Sequence, residues 1–324
     1  MKIVLIGGGS GISSILRGLK FFDEFDIYSI STPTDDGGST GKILKIYDDV
    51  IPLGDMRNCI ASLAEDPILE ELLQYRFDRA ELNQHALGNL ILLAIFKLSK
   101  NDINEFTEKI YRLFRIKGKS LISCKKRGVL VAKLSNGEIV KGETYINEII
   151  DKTSLEIERV CLEEINDDDV NPLALEAIKE ADIIVLGPGS IYSSIVANFL
   201  VKPILEEYQK SKALKIYISN IVNQPNECIK NKLSEYIEIL NKYHINFDFT
   251  LFNNCPINPK ILEKYLQKDK RYRLIEKDIQ DERIIESDLI SQEGDFIRHD
   301  GKKVAKVILK IIDDARKISS KSCN

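Results

Sequence analysis

The chain has 324 residues, of which 44% are hydrophobic and 30% are charged, and this composition excludes a disordered or collagen-like protein. Its 46 basic and 50 acidic residues leave a formal net charge of −4, so no positive field favours nucleic-acid binding. Six cysteines without a C-x-x-C pair argue against zinc-finger and redox motifs. The apolar runs are too short to span a bilayer and no signal peptide is evident. We therefore expect a cytoplasmic protein without membrane insertion.

Short apolar runs alternate with amphipathic helical patterns along most of the chain. This alternation predicts an α/β fold with a Rossmann-like, mostly parallel sheet and helices on both faces. Strands are expected at 2–6, 26–30, 183–186, 215–219 and 247–252. Helices are expected at 11–21, 55–64, 67–76, 86–98, 103–115, 172–180, 190–210, 229–243 and 302–318.

Residues 119–161 break this rhythm and are typical of a β meander. Within them the runs 129–134 and 138–141 flank Asn136-Gly137, and Asn-Gly between alternating runs is a strong hairpin signal. We interpret 119–161 as a small β-rich insert. Because no repeat and no linker rich in Pro, Gly or Ser divides the chain, we expect a single domain over residues 1–324.

A glycine loop follows the first predicted strand and opens the first predicted helix. Such a loop lets the backbone approach a ligand, and the helix N-terminus offers N–H groups to a phosphate. The alternative is a tight turn without a ligand. Ile12 stands where a dinucleotide fingerprint has its third glycine, and no acid ends the second strand, which disfavours NAD binding. The predicted ligand contacts are Gly8, Gly9, Ser10 and Gly11.

A second loop, with adjacent carboxylates at Asp35 and Asp36, follows the second predicted strand. It lies at the carboxyl edge of the sheet, where open α/β folds bind ligands. These side chains are candidate ligands for Mg²⁺, together with water and phosphate oxygens, or acceptors for hydroxyl groups. A solvated turn is the alternative.

The next motifs open two predicted helices. Asp55 suits the N-cap position of the first of them, and Arg57 and Asn58 in its first turn are expected to face a phosphate or a base. Gly88 lies inside the second helix, where it costs about 1 kcal/mol relative to Ala. Either packing or a ligand explains that glycine, and His85 before it has either a structural or a chemical role.

A second glycine loop with Gly189 and Ser190 follows the strand 183–186 and opens another helix. Two such loops in one sheet suggest two ligand segments, such as a nucleotide and a second phosphate or sugar; plain turns are the alternative. The amides of Asn220 and Asn253 at strand ends suit a base or sugar hydroxyls. Arg298 belongs to a polar cluster near the C-terminus, for which an ordinary surface position is the alternative.

Taken in order along residues 1–312, these motifs resemble the CofD-like superfamily and, within it, the YvcK-type gluconeogenesis factor family. The resemblance rests on Ile6 to Gly11, Asp35 to Ser39, Gly54 to Cys59, His85 to Leu90 with Asn89 between them, Gly187 to Tyr192, Asn220 with Gln224-Pro225, and Arg298-His299-Asp300.

The resemblance implies a Rossmann-like fold and the binding of UDP-sugars such as UDP-N-acetylglucosamine, with contacts from Tyr265 and Arg298. It also implies a role in gluconeogenic carbon metabolism, cell shape and cell-wall synthesis, with protein partners in those processes. The fold class suggests a homodimer. The related transferase branch moves a phospholactyl-type group onto a deazaflavin.

Three hypotheses follow. The first is a regulatory protein that binds a nucleotide-sugar without turnover. The second is a CofD-like transferase of the 2-phospholactate transferase type, in which Mg²⁺ on Asp35 or Asp36 neutralises a leaving diphosphate. The third, an NAD-dependent oxidoreductase, is disfavoured by the incomplete fingerprint.

Overall fold

The computed structural model describes residues 1–153, 155–291 and 296–321, with side chains of the last helix described to residue 314. Its strands are β1 (Lys2–Ile6), β2 (Asp26–Ser31), β3 (Lys119–Ile122), β4 (Val129–Leu134), β5 (Ile139–Lys141), β6 (Ile157–Glu163), β7 (Ile183–Leu186), β8 (Leu214–Ile218), β9 (Phe249–Asn253) and β10 (Ile284–Ser287).

The helices are α1 (Gly9–Leu19), α2 (Gly38–Leu44), α3 (Gly54–Leu63), α4 (Pro67–Gln74), α5 (Leu87–Leu98), α6 (Ile103–Leu113), α7 (Glu143–Lys152), α8 (Pro172–Lys179), α9 (Ala197–Phe199), α10 (Lys202–Lys210), α11 (Leu233–Lys242), α12 (Pro259–Lys268) and α13 (Gly301–Lys321). A π-helical segment, Ile191–Val196, precedes α9, and short 3-10 turns lie at Ala80–Leu82 and Asp167–Asp169. No described helix combines the length and apolar character needed to cross a membrane.

Within the described residues, seven parallel strands form the main sheet in the order β10-β9-β8-β7-β1-β2-β3. Successive strands from β1 run one way across the sheet, and those from β7 run the other way. The strand order therefore reverses between β1 and β7. In open α/β sheets, ligands bind at the carboxyl ends of the strands beside such a reversal.

Both faces of the main sheet are buried. In β1, Val4 and Ile6 belong to one core cluster, whereas Ile3 and Leu5 belong to another on the opposite face. Because every residue of such a strand is covered, the run is continuously apolar instead of alternating. The predicted α/β class with helices on both faces is confirmed.

The small antiparallel sheet has the order β5-β4-β6, and its hairpin turns at Asn136-Gly137 as predicted. Two parts of the predicted insert differ. β3, at Lys119–Ile122, joins the main sheet beside β2, and α7 lies between β5 and β6 where a strand meander was expected. The core cluster that contains Val4 also contains Leu130 and Ala132 of β4, so the small sheet shares its core with the main sheet.

The predicted helix over 190–210 is interrupted. Helix α10 begins anew at Lys202, with proline in its first turn, a position that proline favours because it has no N–H to leave unsatisfied. The sequence patterns also missed α2, α7, α12 and β10. Helices α3, α5 and α6 form a third core through Met56, Phe96 and Phe106.

Candidate functional site

A crevice lies at the strand-order reversal, where the loops after β1 and β7 meet. It contains two adjoining cavities, which we call the inner compartment, of about 400 Å³, and the outer compartment, of about 540 Å³. Both volumes lie within the ~300–1,000 Å³ typical of small-molecule sites. The compartments form one continuous site because both are lined by Ser10, Gly11, Gly189 and Gln224.

Most residues predicted from sequence line this crevice. The inner compartment is lined by Gly8, Gly9, Ser10, Gly11, Asp35, Arg57, Asn58, Asn89, Gly189 and Ser190. The outer compartment is lined by Asn220, Tyr265 and Arg298 in addition to the shared residues.

The two glycine loops pack directly on each other. A Cβ at Gly11 would stand 2.1 Å from the Pro188 carbonyl oxygen and 3.0 Å from the Gly189 Cα. Any larger residue at position 11 would separate the loops. The glycine is therefore required by loop–loop packing as well as by any ligand.

Asp55 is not the N-cap that its sequence position predicted. It is the second residue of α3, whose N-cap is Leu53. Its carboxylate instead lies against the first glycine loop, where a Cβ at Gly8 would stand 2.1 Å from Oδ2 and a Cβ at Gly9 would stand 3.6 Å from Oδ1. Burial raises the pKa of Asp55 to about 7, with a further increase from the charge of Asp35.

The adjacent carboxylates Asp35 and Asp36 diverge. Asp35 lines the inner compartment, and its Oδ1 accepts a hydrogen bond from the Gly37 amide at 2.9 Å. Asp36 Oδ1 accepts hydrogen bonds from the Thr144 amide at 2.8 Å and the Thr144 hydroxyl at 2.6 Å. The structure therefore does not present the two carboxylates to one cation, and no cluster of three metal-ligating side chains occurs among the described residues.

Glu143, the first residue of α7, adds a carboxylate to the inner compartment. Its pKa is raised well above the usual value by burial and then by the charges of Asp35 and Asp55. Burial likewise raises the pKa of Asp35. The inner compartment thus concentrates carboxylates whose ionised forms are disfavoured by burial and by each other.

Two arginines face these acids. Arg57 Nε donates to Asn89 Oδ1 at 3.2 Å, and Arg57 Nη1 donates to Gln74. Burial lowers the pKa of Arg57 to about 10, a value at which the guanidinium stays charged at neutral pH. Arg76 also lines the compartment.

The second glycine loop is held by its own contacts. Asn220 Oδ1 accepts from the Gly189 amide at 3.1 Å, and Asn220 Nδ2 donates to the Gly189 carbonyl at 2.9 Å. The first amides of the segment that follows Ser190 are bound by the side chain of Glu227. Its Oε1 accepts hydrogen bonds from the amides of Tyr192 and Ser193 at 2.8 and 2.7 Å. A buried carboxylate therefore already occupies the anion position at this N-terminus.

The outer compartment combines aromatic rings with cations. Tyr265 and Tyr272 pack edge to face with ring centroids 5.0 Å apart, and Tyr265 accepts a hydrogen bond from the Ile297 amide at 3.1 Å. The Arg298 guanidinium lies 5.2 Å from the Phe296 ring centroid. Lys264, Lys268 and His299 complete this polar wall.

A family model described as 2-phospho-L-lactate transferase CofD matches residues 3–293, most of this chain. The chain belongs to the CofD family. The putative gluconeogenesis factor of Thermotoga maritima is 38% identical over 320 residues, which cover 96% of this chain and 99% of that protein. The gluconeogenesis factor of Bacillus subtilis is 35% identical over 328 residues, with 97% and 98% covered. The family resemblance inferred from the motifs is confirmed.

A solved structure supports the same assignment. The crystal structure of a UPF0052 family protein from Bacillus halodurans is 33% identical to this CofD-family chain and has a TM-score of 0.85. The match covers 95% of this chain and 99% of that one.

Some predicted or considered residues lie elsewhere. Asn253 donates to the Cys255 carbonyl and accepts from the Leu289 amide, so its amide braces backbone, and neither it nor Asp36 is among the described lining residues. His85 lies 3.3 Å from the Ser39 hydroxyl through Nδ1. Packing explains Gly88, because a Cβ there would stand 2.5 Å from the Leu73 carbonyl oxygen and meet the Arg57 side chain.

Several lining residues were missed from sequence. Glu143 lies in a stretch whose pattern indicated strands, and Lys264 and Lys268 lie on α12, which was not predicted. Spacing offered one signal: Lys268 lies four residues after Lys264 and three after Tyr265, and both spacings make neighbours on a helix surface. Nothing local in the sequence pointed to Arg76 or Glu143, because both reach the crevice only through tertiary packing.

Proposed function

We propose that this chain is a regulatory protein that binds a nucleotide-sugar of the UDP-N-acetylglucosamine type in the crevice and is needed for gluconeogenic carbon metabolism and for cell shape and wall synthesis. The observation that carries the proposal is the outer compartment, which combines Arg298 with the rings of Tyr265 and Tyr272. Arginine suits a diphosphate and an aromatic face suits a base. The gluconeogenesis factors among the relatives support the metabolic role.

The binding test is a calorimetric titration of UDP-N-acetylglucosamine, UDP-glucose, GDP and NADH, with and without Mg²⁺. We expect micromolar binding of the UDP-sugars. Arg298→Ala should weaken it at least about tenfold, the usual cost of losing a charge-assisted contact. Arg283→Ala is the matched control, because Arg283 is exposed and paired with Asp281. UDP-sugar binding that is absent, or equal in wild type and Arg298→Ala, contradicts the proposal.

The physiological part needs a separate test. The chain should restore growth on gluconeogenic carbon sources to a Bacillus subtilis strain that lacks its own gluconeogenesis factor, and it should restore rod shape there. Arg298→Ala should fail to do so at equal protein level. Full rescue by that variant would separate the metabolic role from ligand binding.

A second candidate is a CofD-like transferase acting on a nucleotide-activated group. The carboxylates of Asp35 and Asp55 beside the glycine loop favour it, because Mg²⁺ is commonly held by one or two carboxylates together with substrate phosphates. The Asp35–Asp36 pair does not fit that role, since Asp36 is engaged by Thr144. When bound, the cation would neutralise charge on a leaving diphosphate.

The transferase is tested by chromatography of nucleotides after incubation with candidate donors, acceptors and Mg²⁺. Release of nucleotide over many turnovers, lost in Asp35→Asn, would favour the enzyme. If the amount of nucleotide released does not exceed the amount of protein, the transferase is contradicted and the regulatory proposal stands.

A further inference from the structure

The two compartments differ in their charged groups. The inner compartment is lined by three acids, Asp35, Asp55 and Glu143, against two arginines. The outer compartment is lined by Lys264, Lys268 and Arg298, and no acid is among its described lining residues. Among charged side chains a diphosphate therefore meets only cations in the outer compartment, whereas in the inner one it would also meet carboxylates.

The usual phosphate positions at the glycine loops are already taken. The Asp55 carboxylate lies on the backbone of Gly8 and Gly9 at the start of α1. Glu227 accepts the first amides of the segment that follows Ser190. A phosphate placed on either N-terminus would meet a carboxylate of like charge instead of open N–H groups.

Neutral polar groups without a partner point into the same inner compartment. Asn89 is 3% exposed, its Oδ1 accepts from Arg57, and its Nδ2 has no hydrogen-bond partner among the described residues. Ser194 is 7% exposed and its hydroxyl likewise has no partner there. That hydroxyl faces Gly8, since a Cβ at Gly8 would stand 3.3 Å from it. Neither atom is among the buried side-chain atoms that lack a partner, so both are open to the inner compartment, where the amide can donate to a ligand and the hydroxyl can donate or accept.

We infer that the inner compartment binds the glycosyl group of the nucleotide-sugar, while the diphosphate and base lie in the outer compartment. Sugar hydroxyls would donate to Asp35 and Asp55, and Asn89 Nδ2 would donate to a hydroxyl or acetamido oxygen. The shared residues Ser10 and Gly189 form the threshold between the two. This inference rests on the proposed function and assigns its ligand an orientation.

The test compares UDP with UDP-N-acetylglucosamine, since UDP lacks the glycosyl group. In wild type the sugar should tighten binding relative to UDP. Asp35→Asn should weaken UDP-N-acetylglucosamine binding about tenfold and Ser194→Ala should weaken it severalfold, because a site built for hydroxyls loses affinity when a partner is removed. Binding of UDP should change less than about twofold in both variants.

Two controls sharpen the comparison. Asp36→Asn makes the same chemical change next to Asp35, but its side chain faces Thr144 outside both compartments, so both affinities should stay unchanged. Arg298→Ala should weaken UDP and UDP-N-acetylglucosamine equally. Ser194→Ala removes no side-chain hydrogen bond within the described part of the protein. This variant therefore still tests the position of the sugar if Asp35→Asn fails to fold.

The outcomes are distinct. No binding of either ligand to wild type overturns the proposed function itself. Equal wild-type affinity for UDP and UDP-N-acetylglucosamine, or equal losses for both in Asp35→Asn and Ser194→Ala, overturns the assignment of the sugar to the inner compartment while the proposed function stands.

Discussion

The carboxylates of Asp35, Asp55 and Glu143 share one compartment, and their protonation is governed by that neighbourhood. Burial is the largest cause of each raised pKa, and mutual repulsion adds to it. When these buried carboxylates ionise at high pH, the free energy of unfolding of the protein falls. The cost follows from linkage between protonation and folding.

For Asp55 the sign is definite. Its pKa is about 7 in the folded state against a usual 3.8, so between these values the folded chain binds more protons than the unfolded one. The free energy of unfolding must then fall as pH rises through 7. Asp55→Asn removes this dependence, so the variant should gain about 1–2 kcal/mol relative to wild type between pH 5 and pH 8, less than the full shift since the carboxylate is partly exposed. Urea unfolding of both proteins at pH 5 and at pH 8 measures their free energies of unfolding. A difference between variant and wild type that is the same at the two pH values would contradict the prediction.

At the scale of elements, two helices approach so closely that glycines face each other. A Cβ at Gly18 of α1 would stand 2.1 Å from the Gly301 carbonyl carbon at the start of α13, and one at Gly301 would stand 2.3 Å from the Ile15 carbonyl oxygen. Arg298 and His299 lie three and two residues before Gly301. The contact of α1 with α13 therefore fixes the position of the outer-compartment wall relative to the glycine loop.

Gly18→Ala should disturb that arrangement. Alanine gains about 1 kcal/mol in helix propensity, but the added methyl group meets backbone that cannot rotate away, and such overpacking costs about 1–3 kcal/mol. We expect a net loss in the free energy of unfolding together with weaker UDP-sugar binding. Lys306→Ala, at an exposed position of α13, should change neither by more than about 0.5 kcal/mol. Unchanged binding in Gly18→Ala would show that the contact does not position Arg298.

At the scale of the molecule, the crevice joins segments from both ends of the chain. Its lining runs from Gly8 to His299, and it takes in the main sheet, the helical region and the small sheet through Glu143. A ligand that touches all of these should stabilise the whole fold, since it binds the folded state and not the unfolded chain.

This predicts a ligand effect on global unfolding. At a UDP-N-acetylglucosamine concentration of 100 times Kd, the free energy of unfolding should rise by about 2.7 kcal/mol. Thermal and denaturant unfolding with and without ligand measure it. At the same concentration Arg298→Ala, whose Kd should be about tenfold higher, should gain only about 1.4 kcal/mol, and an increase equal to that of wild type would mean that the ligand binds elsewhere.

The sequence by itself determined the α/β class, most of the strands near the glycine loops and the family. These depend on local signals: the buried run Lys2–Ile6, the glycines that follow it, and Asn136-Gly137 in the hairpin. Each is read within a few residues, because strand burial and turn geometry act over that distance. The position of the loops after β1 and β7 at one sheet edge followed from the parallel arrangement.

Only the tertiary structure decided which side chains share the crevice. The sequence predicts that Asp55 is a helix cap, but its carboxylate lies against the glycine loop. Asp36 hydrogen-bonds Thr144, whereas its neighbour Asp35 lines the inner compartment. The side-chain amide of Asn253 hydrogen-bonds the backbone. Glu143 arrives from a helix that the pattern did not predict. The physical reason is that burial, charge and most hydrogen-bond partners at this site come from segments that lie tens to more than a hundred residues apart, and no local pattern encodes their meeting.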